Sequence, residues 1–211
     1  MPYRIPPTRT DIQIANAVAR HTNRRTERAA SLLTWGADEH VLLAMTAAWW
    51  LCCRQGSLRQ RRNSNHLLLT ALTASLLPHV LKSAFDQRRP DRLTVQGHLH
   101  GVPISGKPRD AFPSGHATHL GALASSATVL PAAKRNAIWA LCAGLALTRI
   151  VLLAHWTSDV VAGLALGALT ERLLRFLTGY GKSPRPVQAE GFVGNRLSGD
   201  SEPAPAPPGR C

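Results

Sequence analysis

The sequence predicts an all-α fold: a multi-span membrane helix bundle of about five spans, preceded by an N-terminal amphipathic helix at the interface. Three observations predict it. Apolar runs recur at 41–53, 67–81, 117–133, 137–154 and 160–170, with polar breaks between them. The runs are apolar on nearly every face; 41–53 carries no charged stripe, whereas a surface helix of a soluble protein shows one. In the fifth run Gly163 and Gly167 form a Gly-x-x-x-Gly pair that lets helices approach closely in lipid, although an Ala- and Gly-rich stretch yields such a pair by chance as well.

Composition narrows the classes. At 211 residues the chain is one domain by the usual size rule, and 45% hydrophobic residues exclude wholesale disorder. Cys52, Cys53, Cys142 and Cys211 have neither the density of a disulfide scaffold nor the spacing of a zinc site. With 25 Lys and Arg against 12 Asp and Glu, the net charge is +13, which asks for nucleic acid, an anionic membrane surface or a phosphate-bearing substrate as partner. Only 5% of residues are aromatic and the basic residues are scattered between apolar runs, which argues against nucleic acid. The mean hydropathy of −0.07 is diluted by the polar ends 1–39 and 179–211. Taken singly, each run also fits a buried helix of a soluble protein; only 137–154 approaches the ~18 to 20 residues that span a bilayer, and it contains Arg149.

Three segments follow. Residues 1–39 form an interfacial segment in which Ile12, Ile14 and Val18 alternate with polar groups over 11–28; no cleavable leader is read there. Residues 40–178 form the membrane-embedded domain. Residues 179–211, rich in Pro and Gly, read as a disordered tail.

Three polar clusters punctuate the runs. The second run ends in Lys82-Ser-Ala-Phe-Asp-Gln-Arg88-Arg89-Pro90, where Pro90 disfavours helix at Arg89 and leaves Lys82 and Arg89 at the mouth. Before the third run stands Pro113-Ser114-Gly115-His116: Ser114 is an N-cap, and Gly115 lets an anion approach backbone N–H groups at a helix start. An ordinary capped helix with a solvent-facing histidine explains the same tetrapeptide. The fourth and fifth runs are joined by Thr148-Arg149-Ile-Val-Leu-Leu-Ala-His155-Trp-Thr-Ser-Asp159. Six residues apart, Arg149 and His155 would lie on different faces of one helix, so the helix must stop if both meet one ligand. Thr157 and Ser158 supply caps for a new helix, with His155 in the turn and Asp159 in the first helical turn. There Asp159 can accept the imidazole N–H and leave the other nitrogen free. A cap and pair at a helix junction is the plainer explanation, but an arginine inside the longest apolar run is costly and points to function.

If each run crosses once, the three clusters share one face of the membrane. Lys82, Arg89 and Arg149 then supply cations and the Ser114 and Gly115 N–H groups supply dipoles, which suits a phosphoryl group in transfer. Two histidines can divide the work, one attacking phosphorus and one protonating the leaving oxygen. A two-metal phosphatase is disfavoured, since Asp159 is the main carboxylate of this face and Asp86, Asp91 and Asp110 are scattered along its connection.

Together these clusters resemble the signature of the type 2 phosphatidic acid phosphatase superfamily, which includes class A acid phosphatases and vanadium haloperoxidases. Its pattern is Lys, six residues, Arg-Pro; then Pro-Ser-Gly-His; then Ser-Arg, five residues, His, three residues, Asp. The match falls at Lys82, Arg89 and Pro90, at Pro113 to His116, and at Arg149, His155 and Asp159, with Thr148 in place of the usual serine. The resemblance implies a helical acid phosphatase/haloperoxidase-type bundle with His155 as nucleophile, Asp159 as its orienting partner and His116 as general acid. It further implies Lys82, Arg89, Ser114, Gly115 and Arg149 as phosphate ligands, and no metal or cofactor. A six-helix core is usual in its membrane members, so the stretch 11–33 is expected to supply the sixth helix.

The expected activity is hydrolysis of a lipid phosphate or diphosphate of the phosphatidic acid, phosphatidylglycerophosphate or polyprenyl diphosphate type. A non-catalytic phospholipid-binding scaffold is the alternative. Residues 91–112 are long enough for a lid or selectivity loop, in which His98 and His100 are exposed loop histidines or headgroup contacts. Lys and Arg counts are equal on the two sides. Arg54, Arg59, Arg61 and Arg62 crowd one short loop, so the clusters are expected to face away from the cytoplasm in a multi-pass protein of the cell membrane. Oligomeric state leaves no signal.

Overall fold

The computed structural model describes residues 3–90 and 111–181. The connection 91–110, with His98 and His100, and the tail from 182, with Cys211, lie outside the described residues.

Local signals set the helix starts. Helix α1, Arg9–His21, begins at Thr8, whose side chain forms a reciprocal capping box with Asp11. Asn23 caps α2, Arg24–Thr34, by accepting from the N–H groups of Arg25 and Thr26. That cap corrects the single amphipathic helix expected over 11–33: the side chain of Asn23 offers a new start, and the chain turns there. Asp38 caps α3, Glu39–Cys52. Ser57 and Gln60 form a second capping box at the start of α4, Leu58–Ala84. Arg59, Arg61 and Arg62 therefore sit in the opening turns of α4, because straight-chain basic residues are good helix formers. Ser114 caps α5, Gly115–Ser126; Pro131 precedes α6, Ala132–Val151; and α7, Thr157–Thr178, closes on Gly179 at φ +67°.

The fold has one element the all-α expectation lacked. Strand β1, Tyr3–Arg4, pairs in parallel with β2, Phe85–Asp86, which tethers the N-terminus to the chain leaving α4.

The five runs do not become five long apolar helices. Among the described residues only α4 is long and apolar enough to cross a membrane, with a mean hydropathy of 1.4 over an 18-residue stretch. Helix α3 has 14 residues and reaches about 21 Å. The third run breaks after Ser126 into a short 3-10 turn, Ala127–Val129, before Pro131. Large apolar side chains nonetheless face outward on several helices, including Trp49, Leu76, Leu141 and Phe176.

Helix α5 lies at the centre, with Ala117, Thr118, His119, Leu120, Gly121 and Ala122 all buried. Its seam with α7 is backbone against backbone. A Cβ on Gly121 would overlap the Leu164 carbonyl, one on Gly167 the Thr118 carbonyl, and one on Gly163 would stand 2.6 Å from the Ser114 oxygen. Beyond that seam, where α5 ends, Glu171 is fully buried and accepts from His66 Nε2 at 3.0 Å, Ser125 Oγ at 2.6 Å and Arg175 Nε at 2.9 Å. This polar knot ties α4, α5 and α7 at one end of the bundle; the three sequence clusters lie at the other.

Candidate active site

The turn between α6 and α7 carries His155 and leads into Asp159. After Val151 the chain enters a left-handed residue, Leu153 at φ +52°, which costs roughly 1–2 kcal/mol for a side chain with Cβ. Leu153 is buried, and the Arg149 carbonyl accepts from the Ala154 N–H at 3.1 Å and the His155 N–H at 3.4 Å. The reversal brings His155 back beside Arg149, so the helix does stop between them.

His155 is buried, and its Nδ1 lies 2.7 Å from the Ala111 carbonyl. A carbonyl only accepts, so Nδ1 carries the hydrogen and Nε2 is left with its lone pair. Burial above all, then Arg149, Arg89 and Lys82, hold its pKa well below the ordinary imidazole range, with the Ala111 hydrogen bond working the other way. The ring is therefore neutral at neutral pH.

Asp159 does not take that imidazole hydrogen here. Its Oδ2 accepts the Trp156 N–H at 3.0 Å and lies 3.9 Å from His155 Nδ1. The cap of α7 is thus made from inside the helix by Asp159, not by Thr157 and Ser158, because Trp156 occupies the cap position and its side chain has no acceptor to offer.

The other predicted residues gather around this turn. Arg149 is buried in the last turn of α6, where its Nη1 donates to Thr34 Oγ1 at 2.9 Å. Arg89 is buried, and Lys82 is half-buried in the last turn of α4. His116, half-buried at the start of α5, lies within electrostatic reach of Arg149 and Lys82. The Ser114 N–H does not point to a ligand: it donates to the Asp159 carbonyl at 3.3 Å, joining the starts of α5 and α7. Gly115 stands next to it, half-buried, as the first residue of α5. The first and third clusters supply the cations whose field acts on His155, and Arg149 and Lys82 also act on His116 of the second. Among the described residues no group of three or more His, Cys, Asp and Glu is placed to hold a metal ion.

Several contributors carry no sequence motif. Trp156, almost wholly buried, donates its indole N–H to the Arg88 carbonyl at 2.8 Å, and the Gln87 carbonyl accepts from the Ala111 N–H at 3.2 Å. The first cluster is thereby stitched to the other two. A tryptophan between His155 and Thr157 in a turn was the visible signal; the Ala111 carbonyl offered none.

The helix ends thus gather buried cations and two histidines within one helical bundle. The sequence model of the PAP2 superfamily matches residues 63–180, more than half of the chain and all three clusters, and the chain belongs to that superfamily. It is 38% identical over 104 residues to a protein named lipid A 1-phosphatase from Rhizobium johnstonii, and 38% over 103 residues to one of the same name from Rhizobium etli. These matches cover 49% and 48% of this chain and span less than half of the relatives, 43% and 44%. The fold is that of Aquifex aeolicus LpxE, at TM-score 0.66 and 15% identity over 79% of this chain and 95% of that one. It is likewise that of a transmembrane PAP2-type phosphatidylglycerolphosphate phosphatase from Bacillus subtilis, at TM-score 0.60 and 20% identity over 83% and 88% of the two chains.

Proposed function

We propose that the protein is a membrane-embedded phosphatase that removes phosphate from a lipid phosphate or diphosphate through a phosphohistidine on His155. The observation that carries this reading is the tautomer of His155: a buried, neutral imidazole whose Nδ1–H is committed to Ala111, with Nε2 available in a field of three cations. Nε2 attacks phosphorus, the N–P bond forms and the bond from phosphorus to the lipid oxygen breaks. The leaving oxygen takes its proton from His116. Water then attacks phosphorus, giving its proton to His116, and inorganic phosphate departs as the N–P bond breaks. Arg149, Arg89, Lys82 and the N–H groups at the start of α5 hold the equatorial oxygens, whose charge grows in the transition state.

Membrane residence is supported by the large apolar side chains that face outward on several helices and by the transmembrane neighbour of like fold. Arg54, Arg59, Arg61 and Arg62 lie together near the start of α4, at the opposite end from His155, which supports a site that faces away from the cytoplasm. Cysteine labelling of the site end from the cytoplasmic side would reverse this orientation.

The test is phosphate release by detergent-solubilised protein in EDTA from phosphatidic acid, phosphatidylglycerophosphate, a polyprenyl diphosphate, lipid A and a soluble phosphomonoester. Lipid A is included because the rhizobial relatives carry its name. Hydrolysis of a lipid substrate, abolished by His155→Ala, is expected. Retained turnover in His155→Ala would overturn the nucleophile, and tight lipid binding without phosphate release would favour the scaffold.

A further inference from the structure

The superfamily match begins at residue 63, yet α1 reaches the active turn. Asp11 is buried, and its carboxylate is shared between two elements. Its Oδ1 accepts the Ser158 N–H at 2.9 Å and its Oδ2 the Ser158 hydroxyl at 2.8 Å. Oδ2 also accepts the Thr8 N–H at 3.0 Å and the Thr8 hydroxyl at 2.8 Å. Four donors on one carboxylate outweigh its burial, which by itself would raise its pKa, and hold that pKa below the ordinary carboxylate range.

The remainder of the α1 face completes the contact. Asp11, Ala15 and Ala19, spaced one helical turn apart, are the buried residues of α1. Ala15 and Ala19 pack with Leu153, Trp156 and Ala111 in one apolar cluster. The turn from Leu153 to Ser158 is thus held from three sides: by Asp11 at Ser158, by the alanines against Trp156, and by the Arg88 carbonyl at the indole N–H. The same cluster includes Ala111, whose carbonyl fixes the tautomer of His155.

We infer that Asp11 is a positioning residue, a carboxylate supplied from outside the superfamily core that clamps the start of α7 and so fixes the aim of His155 Nε2. The inference rests on the reading of His155 as nucleophile. It makes the N-terminal segment part of the catalytic apparatus and not only an interfacial anchor. Ser158 has two donors and its own helix offers no acceptor for the N–H, since Asp159 is used on Trp156. An anion at that helix start also suits the dipole.

The test compares Asp11→Ala and Asp11→Asn with wild type in full-length protein. Alanine removes every acceptor, whereas asparagine keeps one that can take the Ser158 N–H. Asp11→Ala is expected to lower kcat about 10- to 100-fold with KM changed less than about threefold, as a misaimed nucleophile does. Asparagine should restore part of that loss. Amide exchange should quicken at 153–159 and stay unchanged along α5. Unchanged kcat in Asp11→Ala overturns the inference, as does a loss that tracks global loss of helicity. If wild type itself is silent on every lipid, the phosphatase reading fails separately, and exchange at 153–159 equal to wild type then overturns the clamp.

Discussion

Replacing Gly163 by alanine tests the seam that aligns two of the three clusters. A Cβ there would stand 2.6 Å from the Ser114 oxygen, 2.9 Å from Ala117 Cβ and 3.3 Å from the Thr118 nitrogen. An ordinary carbon-to-oxygen contact is about 3.3 Å or longer, so α5 and α7 must part by about 0.7 Å at this level. Overpacking of this kind costs about 1–3 kcal/mol, of which the better helix propensity of alanine returns at most about 1. The displaced group is the cap of α5, whose N–H binds the Asp159 carbonyl, so the start of α5, the proposed phosphate cradle, moves relative to His155. Since about 1 Å of misplacement costs on the order of 100-fold in rate, a tenfold or greater fall in kcat is expected. Gly144 is the internal control: nothing lies within 4 Å of a Cβ there, so Gly144→Ala should be neutral or stabilising by about 0.5–1 kcal/mol. Thermal unfolding followed by circular dichroism and initial rates of phosphate release, in one detergent, read both effects. Gly163→Ala as stable and as active as Gly144→Ala would refute the close-contact argument.

Two further outcomes follow from groups away from the reacting atoms. Glu171→Ala strands the buried His66 and Ser125 donors and removes the ion pair to half-buried Arg175, and should destabilise by about 3–5 kcal/mol while leaving activity per folded molecule unchanged; an unaltered unfolding midpoint would contradict it. Because the pKa of Asp11 is depressed on folding, its stabilisation is full above the ordinary carboxylate range and is lost as pH falls through that range toward the folded value. Wild type should therefore lose stability between pH 6 and about 3 more steeply than Asp11→Asn, measured by urea unfolding at each pH.

The convergence of the clusters was legible because each sits at a helix end marked by local chemistry: Pro90 after Arg89, Ser114 before Gly115, and the break that must fall between Arg149 and His155. Helix lengths were less legible. Apolarity located the runs, but helix formation is indifferent to charge on straight-chain residues, so α4 extends back through Arg59 to Arg62. Partners supplied by the backbone were invisible. The carbonyl of Ala111 and the N–H of Ser114 have no residue signature, and they decide which group orients His155 and which dipole is spent between helices. No motif singled out Asp11; its contact with Ser158 spans 147 residues of sequence, where no periodicity reaches.

The glycine seam also divides the bundle by compliance. Where backbones touch without side chains between them, neither helix can slide or tilt without overlap, so α5 and α7 travel as a single rigid beam. Whatever yields when the bundle flexes must be elsewhere. Helix α3 has no buried residue, and a small apolar cavity lined by Leu42, Thr46, Leu67, Thr70 and Ala74 separates it and α4 from α5. The bundle is therefore stiff along the seam that carries the His155 turn and looser along α3, and substitutions that fill that cavity should stiffen α3 while leaving the seam unchanged.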